Sequence, residues 1–202
     1  MLNKVNTTVS SRKKCTPIAL LKKIMKSQTS HHWLPFTSGD AVYDLVHLHP
    51  QQRCFTVQPK TGASIELKVN ISFSFHCFTS SEVDAVSGSL IFPDPDKREV
   101  RYFDLQRYQL SQELLLKMIG TIEKRPLWRT DSEEFFSVEI NHQGRKIDYT
   151  VFFEVGRAKK NLNHDLWLYV RSAYPKEQSP AKQDRVIRFE TILLKSYFAS
   201  RK

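Results

Sequence analysis

His76 beside Cys77, at the end of the alternating stretch Ser64 to Phe78, is the one place in that stretch where side chains offer chemistry. An imidazole titrates near neutrality, so His76 suits a general acid or base. The competing reading is a hydrogen-bonded surface histidine. Cys77 falls on the apolar parity of the same stretch and reads as a small buried hydrophobe. A second set is cationic and aromatic: Arg101, Arg107, Tyr108, Trp128, Arg129, Lys159, Lys160, Trp167, Tyr169, Arg171, Tyr174 and Arg188. Trp167, Tyr169 and Arg171 share one parity of a strand pattern. Rings and guanidinium groups on one sheet face suit single-stranded RNA, because bases stack on the rings and phosphates pair with the cations. The same residue types anchor protein interfaces, and long side chains also cover apolar surface with no ligand at all.

Other chemistries lack their spacing. His31-His32, His47 with His49, and His76-Cys77 are pairs without the short Cys or His spacings of a zinc site, so no metal is expected. The glycines at 39, 62, 88, 120, 144 and 156 are scattered, which removes the nucleotide-binding loops, and no Gly-x-Ser-x-Gly elbow occurs. No cofactor is expected. Cys15, Cys54 and Cys77 are odd in number and far apart, which speaks for a reducing, cytoplasmic setting. No apolar run is long enough to span a membrane.

The net charge of +10 is unevenly spread. Seven Lys and Arg precede the first acid, Asp40, which leaves +3 on the rest. Residues 1–39 therefore read as a basic leader, with Ile18, Leu21, Ile24 and Met25 at helical spacing. A mobile tail, a nucleic-acid arm, a transit peptide and an upstream start before Met25 all stay open. A chain begun near Trp33 is expected to melt within a few degrees of the full chain.

The elements that must position these residues follow from periodicity. Ser64 to Phe78 alternates: Ile65, Leu67, Val69, Ile71, Phe73, Phe75 and Cys77 on one side, with Ser74 and His76 on the other. Strands are expected at Val42–His49 and Arg53–Val57, forming a meander with it, and at Val100–Leu105. One helical turn is expected over Ser80–Val86, and a loop at Asp94–Asp96. Ser111 to Glu123 carries a helical stripe of Leu114, Leu115, Met118, Ile119 and Ile122, with Ser111 as its N-cap. A hairpin then joins Phe135–Ile140 to Lys146–Val155 across Gly144. Leu166–Tyr174 and Arg185–Phe189 are further strands, and Phe189 to Tyr197 reads as a helix. The class is α+β, a largely antiparallel twisted sheet with one main and one short C-terminal helix. It is a single domain over 40–202, divided into an N-terminal meander (40–110) and a helix-plus-sheet part (111–202).

From Ser111 onward the order of helix, four mainly antiparallel strands and short helix is similar to the barnase/RelE-like ribonuclease toxins. The run Arg171-Ser172-Ala173-Tyr174, followed after a loop by Arg185 to Leu194, resembles their closing strands. The resemblance implies an RNA-directed protein, a metal-independent ribonuclease-like toxin or mobile-element factor, with Arg171, Tyr174 and Arg188 in carried-over positions. His76 would activate the ribose 2′-hydroxyl, and Arg101, Arg107, Tyr108, Lys159, Lys160, Trp167 and Tyr169 would hold RNA. The alternative is a non-enzymatic regulator or inhibitor whose aromatic and arginine face docks on a protein partner.

Overall fold

The computed structural model describes residues 31–81, 90–93, 100–129, 134–142, 144–176 and 186–199. In chain order its strands are β1 (Phe36–Ser38), β2 (Ala41–Tyr43), β3 (Gln51–Val57), β4 (Ile65–Phe73), β5 (Thr79–Ser80), β6 (Ile91–Phe92) and β7 (Arg101–Phe103), then β8 (Trp128–Arg129), β9 (Glu134–His142), β10 (Arg145–Arg157) and β11 (Leu166–Lys176). Helix α1 covers 105–120, with a π-helical turn, Ser111–Leu115, between Leu105–Leu110 and Leu116–Gly120. Helix α2 is Phe189–Phe198.

The main sheet has the order β3-β4-β11-β10-β9-β8, and every pairing is antiparallel except β4 with β11. Alternation sets its buried face. Leu67, Val69, Ile71 and Phe73 of β4 point to the same side as Leu166, Leu168 and Val170 of β11 and Tyr149, Val151 and Phe153 of β10, all buried. Both helices cover that side. Arg53 of β3 donates from Nη1 to the Ile119 carbonyl (2.9 Å), and Phe189 of α2 meets Phe55 and Phe153 edge-on. The fold class is therefore α+β, as the periodicity implies.

A second, three-stranded sheet (β5-β7-β6) and the β1–β2 hairpin lie beyond the end of β4. An aromatic cluster joins them: Trp33, Phe36, Tyr43, Phe78, Phe92 and Phe103 are in mutual ring contact. Trp33 is buried and Phe36 opens β1, so the folded body starts before Asp40.

Four expected elements take other forms. Val42–His49 is not one strand, because Leu45 and Leu48, three apart, are both buried and demand a 3-10 turn, Val46–Leu48. Asp44 initiates it by accepting the Val46 amide (2.8 Å). His47 and His49 therefore do not share a strand face. His47 Nε2 meets Ser111 Oγ (2.8 Å), His49 Nε2–H donates to the Trp33 carbonyl (2.9 Å), and burial pushes the His47 pKa down. Ser111 is not an N-cap. Asp104 caps α1 by accepting the Arg107 amide (3.0 Å), while Ser111 is buried and its hydroxyl donates to the Tyr108 carbonyl (2.7 Å). Of the strand expected over Arg185–Phe189, the described residues from Val186 on contribute one bridge, Ile187 to Leu127, and Arg188 stands at the N-cap of α2. Finally, β4 stops at Phe73, short of His76. Of the helical turn expected over Ser80–Val86, Ser80 belongs to β5 and the part beyond Ser81 lies outside the described residues, as do the loop at Asp94–Asp96 and most of the leader.

Tyr149 gives a stability test. Its ring is fully buried, its hydroxyl has no hydrogen-bond partner among the described residues, and burial pushes its pKa up. An unsatisfied buried hydroxyl costs about 1–3 kcal/mol of desolvation. Tyr149→Phe is expected to leave stability unchanged or raise it by about 1 kcal/mol, read as an increased urea midpoint at constant slope. A loss of stability would mean that the hydroxyl has a partner.

Candidate functional site

β4 and β11 are the one parallel pair of the main sheet, so their carboxyl ends lie on the same side. The last rung between them is the Ser74 amide to the Val170 carbonyl (2.9 Å). There the two strands part. Ser74 accepts the His76 amide on its hydroxyl (3.1 Å) and starts a 3-10 turn, Phe75–Cys77, which carries the chain away into β5. β11 runs on to Lys176. Diverging carboxyl ends of parallel strands leave a crevice, and in open α/β sheets ligands bind at such points. Here the crevice is a cleft of about 530 Å³ lined by His76, Ser80, Ser81, Arg101, Arg107, Arg171, Ser172, Tyr174 and Pro175.

Each arginine reaches the cleft by a separate device. Arg171 occupies a β-bulge: Phe153 pairs with Val170 and Phe152 with Ser172, so Arg171 is the additional residue on β11. A bulge re-aims side chains, and here neighbours 171 and 172 both line the cleft, which strict alternation would forbid. Arg171 Nη1 donates to Glu154 Oε1 at 2.7 Å. Arg107 comes from the first turn of α1. It is held by Asp104 (Nε to Oδ2, 3.4 Å) and donates from Nη1 to the carbonyls of Thr79 (2.8 Å) and His76 (3.4 Å). Its guanidinium carbon lies 4.5 Å from the Tyr174 ring centroid. Arg101, on β7, is only 4% exposed. It donates from Nε to Thr79 Oγ1 (3.3 Å) and from Nη2 to the Thr79 carbonyl (3.1 Å), with its guanidinium over Phe75.

The Thr79 carbonyl thus receives two guanidinium groups. Like charges in a partly desolvated site repel, and the Asp104 carboxylate beside Arg107 offsets part of that repulsion. Among the described residues the lining holds no Asp or Glu, while Asp104 and Glu154 pair with Arg107 and Arg171 at its border. Three arginines, three serine hydroxyls, a histidine and a phenol form a donor set for a tetrahedral oxyanion. Cys77, next to His76, is fully buried, and burial pushes its thiol up to about 12, which makes it inert.

Of the sequence-predicted residues, His76, Arg101, Arg107, Arg171 and Tyr174 come together here. The remainder do not. Arg188 lines a groove of about 840 Å³ with Cys54, Glu123, Arg125 and Glu190. Lys159 and Lys160 border a pocket of about 110 Å³ with Arg157, His164 and Tyr197, beyond the amino end of β11. Tyr108 is a core residue whose hydroxyl donates to the Asp44 carbonyl (3.1 Å), so it is not an accessible contact. Trp167 and Tyr169 are half-buried on the outer sheet face and do not line the cleft. The Trp167 indole lies across Gly156, where an added Cβ would come within 2.2 Å of it, and Nε1 donates to the Arg157 carbonyl (3.2 Å). Ser80, Ser81 and Ser172 were missed, and single serines leave no pattern to find. Asp104 was findable, as Asp three residues before Arg107 at the head of an apolar helical stripe.

Among the described residues no three His, Cys, Asp or Glu converge as metal ligands, and no helix is long and apolar enough to cross a membrane. The protein is an α+β fold with a cationic cleft at the end of a parallel strand pair. It belongs to the YjaZ family, whose model matches residues 35–197. No curated protein and no solved structure matches the chain.

Proposed function

We propose that the cleft binds the phosphate backbone of RNA, the reading that the resemblance to barnase/RelE-like ribonucleases also favours. The observation that carries it is the convergence of Arg101 and Arg107 on the Thr79 carbonyl, with Arg171 brought to the same cleft by a bulge. In the catalytic form, His76 takes the proton of a ribose 2′-hydroxyl. The 2′-oxygen attacks phosphorus, the bond to the 5′-oxygen breaks, and that oxygen leaves with a proton from water, whose hydroxide takes the proton held by His76. The products are a 2′,3′-cyclic phosphate and a 5′-hydroxyl. Arg107 and Arg171 stabilise the charge on the phosphorane. Arg188, outside the cleft, has no part.

The test is binding of a labelled single-stranded RNA at two salt concentrations, with Arg171→Gln beside wild type. The Arg171 side chain is 41% exposed, so the change should barely affect melting. Affinity is expected to fall about tenfold, with the salt slope reduced by roughly 0.7 for one lost phosphate contact. His76→Gln should bind RNA and lose any cyclic-phosphate product. RNA affinity that ignores both salt and Arg171 would sink the proposal.

A further inference from the structure

We propose that the outer face of the main sheet carries a second subsite for the same RNA, where an adenine base stacks on Trp167 and pairs with the Asn70 amide. The inference rests on the RNA reading above and names the base that the strand presents. Register builds the site. Trp167 of β11 lies opposite Asn70 of β4, and Asn70 opposite Gln52 of β3, so the three form one cross-strand row on the side away from both helices. The next position of that row is Gly156 of β10. Its missing side chain gives the indole its place: a Cβ there would come within 2.2 Å of Cζ2 and 2.5 Å of Cε2. The ring therefore leans over β10 and rests on its backbone. Its Nε1–H donates to the Arg157 carbonyl at 3.2 Å, which fixes the ring before any ligand arrives. Trp167 is half-buried, and a ring backed by the sheet on one side has its accessible area on the other.

Beside the ring stands an unspent amide. Asn70 is half-buried, and its side chain makes no hydrogen bond to the described residues. A carboxamide presents donor and acceptor in one plane, the pattern that pairs with N6 and N7 of adenine. Further along the row, Gln52 Nε2 donates to Asn163 Oδ1 (3.1 Å) and His164 Nδ1 meets the same oxygen (3.2 Å), so this flank is held as well. A ring in fixed position next to a free amide serves a nucleobase, because stacking and edge pairing are then available together. β11 leads from this row to the cleft. Arg171 is four residues beyond Trp167, about 13 Å at the usual rise of a strand. Roughly four stacked nucleotides cover that distance, so one strand can place a phosphate in the cleft and a base on Trp167.

The experiment measures the affinity of the full chain for labelled octamers of adenosine, uridine and cytidine, and for AMP, with Asn70→Ala, Trp167→Leu and Trp167→Phe beside wild type. The adenosine octamer is expected to bind about tenfold tighter than the other two. Asn70→Ala should erase that preference and leave uridine affinity unchanged. Trp167→Leu should weaken all three octamers about tenfold without altering the salt slope, and Trp167→Phe, which keeps a ring, should recover most of the loss. Indole emission of wild type should be quenched by the adenosine octamer, which reads the contact even if Trp167→Leu folds poorly. Equal affinity for the three octamers, or an Asn70→Ala variant that keeps the adenosine preference, would overturn the subsite. So would unquenched emission. If octamers bind in an Arg171-dependent way while Asn70 and Trp167 do not matter, the RNA reading stands and this subsite falls. If AMP binds as tightly as the adenosine octamer and depends on Asn70, the base site stands with a free adenine nucleotide as its ligand, and the RNA reading fails.

Discussion

Arg107→Ala is expected to lower the affinity of the cleft for phosphate ligands by roughly 10- to 100-fold, more than any other single change in the lining. Charged hydrogen bonds contribute about 1.5–3 kcal/mol each, and tenfold in affinity is about 1.4 kcal/mol. Arg107 also does more than face the cleft. From α1 it reaches the His76 carbonyl in the 3-10 turn, the Thr79 carbonyl in β5 and the Tyr174 ring in β11. Its removal unties three elements at once and leaves Asp104 without its ion pair. Melting should therefore fall by several degrees alongside affinity, at about 2–4 °C per kcal/mol for a chain of this size. Arg107→Lys separates the two effects. It keeps the charge and loses the planar fork, so it should recover part of the melting temperature and little of the affinity. Isothermal titration with ribose 5-phosphate beside thermal melts is the measurement. If Arg107→Ala binds like wild type, Arg101 and Arg171 hold the anion between them and the convergence on Thr79 is purely structural.

The sequence reveals the chemistry of this cleft more readily than its assembly. His76, Arg101, Arg107, Arg171 and Tyr174 stand out by residue type, and the alternation in β4, β10 and β11 shows which side chains are buried. What brings the five together is hidden. β4 and β11 pair in parallel although about a hundred residues separate them in the sequence. A period of two is the same for parallel and antiparallel neighbours, so alternation is silent on that pairing. The bulge at Arg171 is also invisible, because it depends on the register of β10 opposite. Alternation misleads where it continues by chance past the end of a strand. Phe75 and Cys77 extend the apolar parity of β4, yet Ser74 captures the His76 amide and turns the chain. The same happens at Leu45 and Leu48, whose spacing of three is a 3-10 signal inside an apparent strand. In α1, Ser111 has the look of an N-cap because it precedes the clearest apolar stripe. The helix starts earlier, at Asp104, and the π-helical turn at Ser111–Leu115 shifts the phase between its halves.

Trp33→Ala is expected to cost about 3–5 kcal/mol, the usual loss for a buried Trp cut to Ala, or about 10 °C in melting temperature. Composition places Trp33 at the end of a basic leader, but its surroundings are those of a core residue. It is 7% exposed, and its indole Nε1–H donates to the Phe73 carbonyl at 3.0 Å, where β4 ends. Phe78 packs against it edge-on at 5.4 Å, Phe75 at 6.3 Å and Phe92 at 6.4 Å. Such contacts add roughly 0.5–1.5 kcal/mol per pair beyond area burial. Its own carbonyl accepts from His49 Nε2. Trp33 thus clamps the 3-10 turn that bears His76 between the end of β4 and β6. The damage should extend to function: with the turn loosened, the carbonyls of His76 and Thr79 that orient Arg107 lose their fixed positions, and affinity for ribose 5-phosphate should fall with stability. A chain begun at His31 keeps the clamp and should melt close to the full chain, whereas one begun at Asp40 loses both Trp33 and β1 and should match or exceed the loss of Trp33→Ala. Leu34→Ala, at a side chain 82% exposed, is the control and should change nothing. Urea melts of these four proteins decide the matter. A Trp33→Ala variant that melts like wild type would mean that the Ser74 cap and the β5–β7 pairing hold the turn unaided.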